Sequence, residues 1–439
     1  MHSQEDIQNT ENKTIDASQI ELTLEQSLLQ KILEQFKGDK VIWSIFVVLC
    51  MISLVEVYSS SSALFVRTDT SPILRHAIFL IIGVGVILFI HNVPYKYFSL
   101  SIFVLLISII LLIITTIGVG NAVVMNDANR WFRIFGITIQ PSEIAKISLM
   151  VTIAFLLSKQ NGENDKTLFR WMLGLTLVVC AIIAVDNLST SMLLFGVCFL
   201  LMYIGNVSIA CLLKTAGVLV LSVTLFILSL NVMPDDWKRT GPLRRAVTWE
   251  NRILNFGKTN NSVEENQFTL DGENFQKNAA KIAIANGGIF GVFPGNSTAR
   301  NFLPHAYSDF IYAIIIEEMG IIGGILVLLL YVIILIRAGM IARRVDKLFP
   351  KYLVLGSGLM LSIQAFMHMG VNVGLFPVTG QPLPLISLGG TSTVITCAYF
   401  GLILSADRFG IGKKIGKKKD EKEVEIEENN EVEFEVIKV

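Results

Sequence analysis

Residues 287–320, GGIFGVFPGNSTARNFLPHAYSDFIYAIIIEEMG, carry the chain from a glycine-rich polar loop into an apolar run that continues to 336. The change falls at Asp309, a lone carboxylate at the lip of what reads as a membrane helix. A carboxylate is costly to hold in hydrocarbon, so one kept there marks a candidate functional site. Asp309 also suits the N-cap of the helix that follows, and capping and chemistry are compatible. Glu317 and Glu318, inside the run, read as polar contacts within a helix bundle rather than as catalytic groups.

Of 439 residues, 52% are hydrophobic and 16% charged, and the mean hydropathy is +0.60. That balance fits neither a soluble domain nor a disordered chain. Runs long enough to cross a bilayer, about 17 to 25 residues each, fall at about 41–59, 72–92, 98–118, 141–158, 170–185, 188–206, 208–232, 309–336, 352–376 and 386–406. The fifth and sixth are parted only by Asp186 and Asn187. The prediction is an all-α polytopic membrane protein with ten transmembrane helices. It divides into an N-terminal segment (1–40), a membrane domain (41–408) whose large extracytoplasmic loop (233–308) lies between helices seven and eight, and a charged tail (409–439).

Net charge is zero, which gives no hint of a nucleic-acid partner; the distribution says more. Loop 337–351 carries Arg337, Arg343, Arg344, Lys347 and Lys351, and the tail opens with Lys413, Lys414, Lys417, Lys418 and Lys419. The short loops on the other side hold Arg67 alone in 60–71 and no Lys or Arg in 376–386. The positive-inside rule then places both termini in the cytoplasm, which requires an even number of spans. The first 38 residues are polar, so the first span is expected to act as an uncleaved anchor. Residues 20–37 repeat Ile20, Leu24, Leu28, Ile32 and Phe36 at four-residue spacing, an amphipathic helix expected to pack on the inner face. Cys50, Cys180, Cys198, Cys211 and Cys397 all lie in apolar spans and read as small packing residues.

Three segments should meet on the outer face. The first is DANRWFRIFGITIQPSEIAK (127–146). There Pro141 suits the first turn of a helix, and Glu143 and Lys146 share one helix face. That pair reads equally as a salt bridge steadying the helix start or as part of a site, and Arg130 with Trp131 reads as an interfacial anchor. The second is the loop ending in Asp309, preceded by a short amphipathic helix in QKNAAKIAIANGG (276–288). The third is FPVTGQPLPLISLGGTS (376–392), whose prolines and glycines break helical structure. At membrane depth that is tolerated only where the backbone is buried in protein or lines a cavity.

Taken together and in this order, these residues resemble the SEDS family (shape, elongation, division and sporulation), which includes FtsW, RodA and SpoVE. The matching residues are Asn129-Arg130-Trp131, Gln140-Pro141-Ser142-Glu143 with Lys146, Arg252 with Phe256, Gln276, and Gly287-Gly288 with Gly291 and Gly295. Leu303-Pro304, Ser308-Asp309-Phe310-Ile311, Glu317-Glu318 and Gly320 follow. Last come Pro377-Val378-Thr379-Gly380, Pro382, Pro384, Ser387, Gly389, Gly390 and Ser392. The likeness covers roughly 40–410. The chain departs from the family pattern at His305 and Tyr307, at Phe293 and Leu388, and around Asp186-Asn187-Leu188-Ser189-Thr190.

The resemblance implies a peptidoglycan glycosyltransferase of the bacterial inner membrane that polymerises lipid II. Its branch is most like the FtsW type, at the division septum, with a RodA-type elongation polymerase as the alternative. It further implies a class B penicillin-binding protein and other division membrane proteins as partners, and a divalent cation, magnesium or manganese, as cofactor. Asp309 is then expected as general base. Arg75, Arg130, Lys146 and Arg252 are candidates to stabilise the leaving diphosphate. Trp131, Glu143, Gln276, Ser308 and Ser387 complete the substrate-binding candidates, and Asp309 or Glu143 is the candidate metal ligand. A lipid II flippase would use similar broken helices, but should carry polar groups through the midplane, where these spans are almost wholly apolar. A non-catalytic scaffold would leave the loop glycines and Asp309 unexplained.

Overall fold

The computed structural model describes residues 36–61, 72–118, 122–125, 128–134, 137–162, 165–232, 272–303 and 306–410. Among them the helices are α1 (Lys40–Ser61), α2 (Pro72–Asn92), α3 (Ser101–Ile117, entered through a 3-10 turn at Tyr95–Leu100) and α4 (Pro141–Leu157). Next come α5 (Asp165–Asp186), α6 (Leu188–Ile204), α7 (Ile209–Val232), α8 (Gly272–Gly287), α9 (Ile311–Arg344), α10 (Leu348–Asn372) and α11 (Thr391–Gly410). A helix thus occupies each of the ten apolar runs, and α8 is the amphipathic helix expected before the Asp309 loop. By length and composition α1, α2, α3 with its leading turn, α5, α9 and α10 can each cross a membrane. The chain is a mostly helical, multi-pass membrane protein. The pattern at 20–35, Arg252 and the tail from 411 lie outside the described residues.

Among the described residues, strand forms in one place outside the helices. The segment read as a loop after α3 is an antiparallel meander of β1 (Ala122–Met125), β2 (Ala128–Ile134) and β3 (Ile137–Ile139). Trp131 pairs with Val123, and Phe132 pairs with both Ala122 and Ile139. β-Branched residues at Val123, Val124, Ile134, Ile137, Thr138 and Ile139 favour strands, and β2 lies against α3, α4 and α5.

The break between α5 and α6 is an N-cap: the Asn187 side chain accepts the Thr190 N–H at 3.2 Å. α10 is central, packed on α4, α6, α9 and α11. Its small residues allow that approach. A Cβ added at Gly356 would lie 2.5 Å from Met150 Sδ, and one at Gly358 2.5 Å from Ala338 Cβ. At the end carrying the basic loop, Asp39 caps α1 through the Val41 and Ile42 N–H groups, at 3.0 and 3.2 Å. The same carboxylate binds Arg337, with Arg344 at 3.5 Å, tying the start of α1 to the end of α9.

The eighth apolar run is not one straight helix. At Gly320 the backbone turns to φ 72°, ψ −178°, splitting α9 into Ile311–Met319 and Ile321–Arg344. Such a break strands carbonyls and N–H groups that hydrocarbon cannot satisfy. The turn after α8 satisfies them. Val292 N–H donates to Glu317 O (2.9 Å) and Phe293 N–H to Glu318 O (2.8 Å), while Ile321 N–H donates to Gly288 O (3.0 Å). Contact this close requires glycine at Gly287, Gly291 and Gly320, where an added Cβ would come within 2.0–2.2 Å of a carbonyl oxygen of the facing segment.

Candidate active site

Asp309 sits on the turn just before α9, half-buried. Three successive carbonyls of this turn are each held by a donor from the far side. Leu388 N–H donates to Tyr307 O at 2.9 Å, Ser387 Oγ to Ser308 O at 2.7 Å, and Asn372 Nδ2 to Asp309 O at 3.1 Å. Asn372 Oδ1 in turn accepts the Ala313 N–H at 3.0 Å. The N-cap position belongs to Phe310, without a side-chain cap, so the capping expected of Asp309 is done by Asn372 reaching over from α10. The carboxylate of Asp309 accepts from Ser308 Oγ at 3.0 Å through Oδ1. Oδ2 has no hydrogen bond among the described residues, and a Cβ at Gly380 would lie 3.5 Å from it. Burial first, and then the nearby Asp309 charge, push the Tyr307 phenol above its ordinary value.

The wall behind this turn is apolar. Ala279, Ala280 and Ala283 of α8 pack with Phe310, Ala313, Ile314, Val371 and Val378. Lys281, exposed on α8, reaches towards Gly374, with Cε 3.5 Å from a Cβ placed there. Gln276 is half-buried on the same helix.

Glu143 and Lys146 form a buried ion pair, 2.7 Å apart, in the first turns of α4. Lys146 Nζ donates to Gln364 Oε1 at 3.5 Å, and Gln364 Nε2 donates to Pro382 O at 3.0 Å. The first segment is therefore coupled to the third two residues from Gly380, which abuts Asp309. A second link joins Gln140 N–H to Thr391 Oγ1 at 3.4 Å. His368 of α10 faces Gln381 O through Nδ1 at 2.7 Å. A carbonyl only accepts, so Nδ1 carries the hydrogen, and Nε2 is a buried acceptor without a partner among the described residues.

Arg75 is exposed on α2, its guanidinium 6.0 Å from the Phe79 ring centre, and Phe79 abuts Gly390. It therefore lies at the edge of the third segment. Trp131 is half-buried on β2; Arg130 is its strand neighbour, with its side chain outside the described set, as is Arg252 altogether. Ser387 is buried and also accepts Leu383 N–H at 2.8 Å, so its hydroxyl holds backbone.

The acids of α9 make the polar contacts expected of them. Glu317 accepts from Ser297 Oγ, from Thr298 N–H and Oγ1 (3.2 and 3.0 Å) and from Ala299 N–H (3.3 Å), capping the 3-10 turn Ala299–Asn301. Glu318 accepts from Ser59 Oγ and from Gly295 N–H at 3.2 Å, and Arg300 Nη1 donates to Ser59 O at 3.0 Å.

Asn372, Gln364, His368 and Lys281 were not singled out by the sequence. An Asn near a helix C-terminus is an ordinary stop signal, and the others look like isolated polar residues on helices. The one usable signal was the spacing of Gln364, His368 and Asn372, four apart and hence on one face of α10.

A family model described as a cell cycle protein, FTSW_RODA_SPOVE, matches residues 39–410. A protein of Geobacter metallireducens named probable peptidoglycan glycosyltransferase FtsW is 30% identical over 379 residues, 84% of this chain and 94% of its own length. One of the same name in Bacillus subtilis is 30% identical over 404 residues, 90% and 96% of the two chains. Among solved structures, a chain of a peptidoglycan synthase complex, studied for its coordination of polymerization and crosslinking, superposes with a TM-score of 0.63. It is 22% identical, with 85% of this chain and 99% of that one covered. The match runs through every described helix from α1 to α11, and this chain belongs to the FtsW/RodA/SpoVE family.

Proposed function

We propose that this protein is a peptidoglycan glycosyltransferase polymerising lipid II into glycan strands, with Asp309 as general base. The observation that carries the reading is a carboxylate with one open oxygen, on a turn pinned at three consecutive carbonyls and coupled to a buried cation, in a chain whose relatives are named glycosyltransferases.

The acceptor sugar's hydroxyl oxygen bonds to the anomeric carbon of the donor as the bond from that carbon to the diphosphate oxygen breaks. The hydroxyl proton passes to the Asp309 carboxylate, and the electron pair leaves on the diphosphate. Positive charge near that leaving group lowers the barrier. Arg75 supplies it, with Arg130 and Arg252 added on sequence grounds, while Lys146, paired with Glu143, braces the third segment through Gln364. Pinning the turn holds the base at one position, which counts because a misplacement of about 1 Å can cost about a hundredfold in rate.

A divalent cation fits one of the two candidate carboxylates better. Glu143 has its charge answered by Lys146 at 2.7 Å, whereas Asp309 keeps Oδ2 open. Asp309 together with substrate phosphates is the donor set that such ions take, and the ion would supply charge at the leaving diphosphate.

The buried ionisable groups also favour an enzyme over a transporter. Glu56, His76, Glu143, Lys146, Glu317, Glu318 and His368 lie in the Asp309-side halves of their helices, while Asp39, His91 and Asp407 lie at the opposite ends. Among the described residues that leaves no buried Asp, Glu, Lys, Arg or His at the helix midpoints, where the buried polar groups are hydroxyls such as Ser108, Ser357 and Ser362. We place both termini in the cytoplasm, the site on the outer face and the protein at the division septum. A class B penicillin-binding protein is the proposed crosslinking partner, supported by the solved complex that shares this fold.

The test is Asp309→Asn in purified protein with its partner and lipid II. Polymer should disappear while the detergent elution profile stays that of the parent; unchanged polymer yield in folded mutant would overturn the assignment. Running the parent in detergent, where no sidedness exists, separates the functions, because only the enzyme makes polymer.

A further inference from the structure

The turn at 288–293 presents a strongly apolar outer surface. Ile289, Phe290 and Phe293 are 62%, 75% and 70% exposed, three large apolar side chains within five residues. Phe293 is held at φ 71°, a left-handed conformation that costs a non-glycine residue about 1–2 kcal/mol. The run from Ile282 to Ala299 contains no charged residue.

Its backbone is prepared for a dry medium. Gly291 N–H is taken by Gly287 O at 2.8 Å, and the Val292 and Phe293 N–H groups by the α9 break. The carbonyls of Gly288 and Ile289 accept from Ile321 and Ile322 at 3.0 and 3.4 Å. Irregular backbone at membrane depth is tolerated where it is buried in protein, and these bonds hold the turn's backbone against α9 while its side chains face outward.

Depth points in the same direction. At about 1.5 Å per residue, Ile321 lies about 24 Å along α9 from Arg337 and about 33 Å from Arg343. The hydrocarbon layer is about 30 Å thick, so a turn bonded to Ile321 sits in that layer or at its edge. The exposed side chains of Ile321, Ile322 and Ile325 continue the same apolar surface down the span.

We infer that the 288–293 turn is seated among the acyl chains of the leaflet on the Asp309 side, with Ile289, Phe290 and Phe293 in contact with lipid. Because the turn ends α8, and α8 packs its alanines on Phe310 and Ala313, this seat fixes the depth of the Asp309 turn. An apolar wedge at this position sets the site at headgroup level, where the phosphates of any lipid-linked substrate lie.

The experiment is photo-crosslinking with p-benzoylphenylalanine at Phe290 or Phe293, an aromatic-for-aromatic exchange that spares the backbone bonds. Phe103, exposed on α3, serves as a lipid-facing reference. Full-length protein in phosphatidylethanolamine–phosphatidylglycerol vesicles is irradiated and weighed intact. The expected result is a mass gain of one phospholipid at 290 and 293, as at 103. A lipid adduct at 103 with none at 290 and 293 overturns the inference. So does a protein adduct at 290 replacing the lipid adduct when the same variant is irradiated in native membranes. Neither readout depends on enzymatic activity.

Discussion

Replacing Gly291 by alanine should unlatch the break in α9. The residue has φ 79°, and a Cβ there would lie 2.2 Å from the Glu318 carbonyl oxygen and 2.5 Å from both the Glu318 carbonyl carbon and Gly320 N. These are backbone atoms, so no rotamer change relieves the clash. The left-handed conformation itself costs alanine about 1–2 kcal/mol. Withdrawing the turn breaks the bonds from Val292 and Phe293 to the Glu317 and Glu318 carbonyls. Each buried carbonyl left without a donor costs about 1–3 kcal/mol, so the loss is about 3–8 kcal/mol in all. The assay is the unfolding midpoint of purified protein in one detergent, read by scattering or intrinsic fluorescence. Gly85→Ala is the control, since a Cβ there meets nothing within 4 Å. In mid-helix that change gains about 1 kcal/mol at most. A Gly291→Ala protein that unfolds together with this control, or whose Val292 and Phe293 amides exchange as slowly as the parent's, refutes the latch.

Other perturbations separate structural from chemical roles. Lys146→Met leaves Glu143 buried without its counter-charge and should cost about 3–5 kcal/mol. Adding Glu143→Leu should restore the unfolding midpoint without restoring polymer from lipid II, and full recovery of polymer would remove Lys146 from the site. Asn372→Leu releases the Asp309 carbonyl and the Ala313 N–H. It should lower the polymerisation rate about tenfold or more with little change in half-saturation by lipid II, as expected when a base is misplaced rather than removed; an unchanged rate in folded protein argues against a positioning role. Asp39→Asn keeps an N-cap acceptor but loses the charge facing Arg337 and Arg344, whereas Asp39→Ala loses both. The Ala variant should therefore be the less stable by about 1 kcal/mol, and equal midpoints would mean that the cap contributes nothing.

The helices were legible because a membrane span is a composition signal: each of the ten apolar runs holds a helix, six of them long and apolar enough to cross a membrane, and the two-residue gap at Asp186 and Asn187 is a break. The Gly320 break was not, because a hydropathy window averages side chains and cannot register one residue's φ. That φ is set by the turn at 287–293, far away in sequence, whose N–H groups take the place of the lost helical donors. The meander at 122–139 was missed for a related reason. Its strands are three to seven residues long, too short for a two-residue alternation to stand out from a loop. At the site, the three segments do converge, since motif order and topology sufficed to bring them to one face. What the sequence could not do was divide labour among them. It offered Asp309 two roles, cap and base, and both fit an aspartate before a helix. The cap proves to be Asn372, on another helix, and that single exchange explains how a carboxylate at a helix start can keep an oxygen open. A capping Asp spends its lone pairs on backbone N–H groups; here α10 makes that bond instead, and the Asp309 carboxylate accepts only from Ser308 among the described residues.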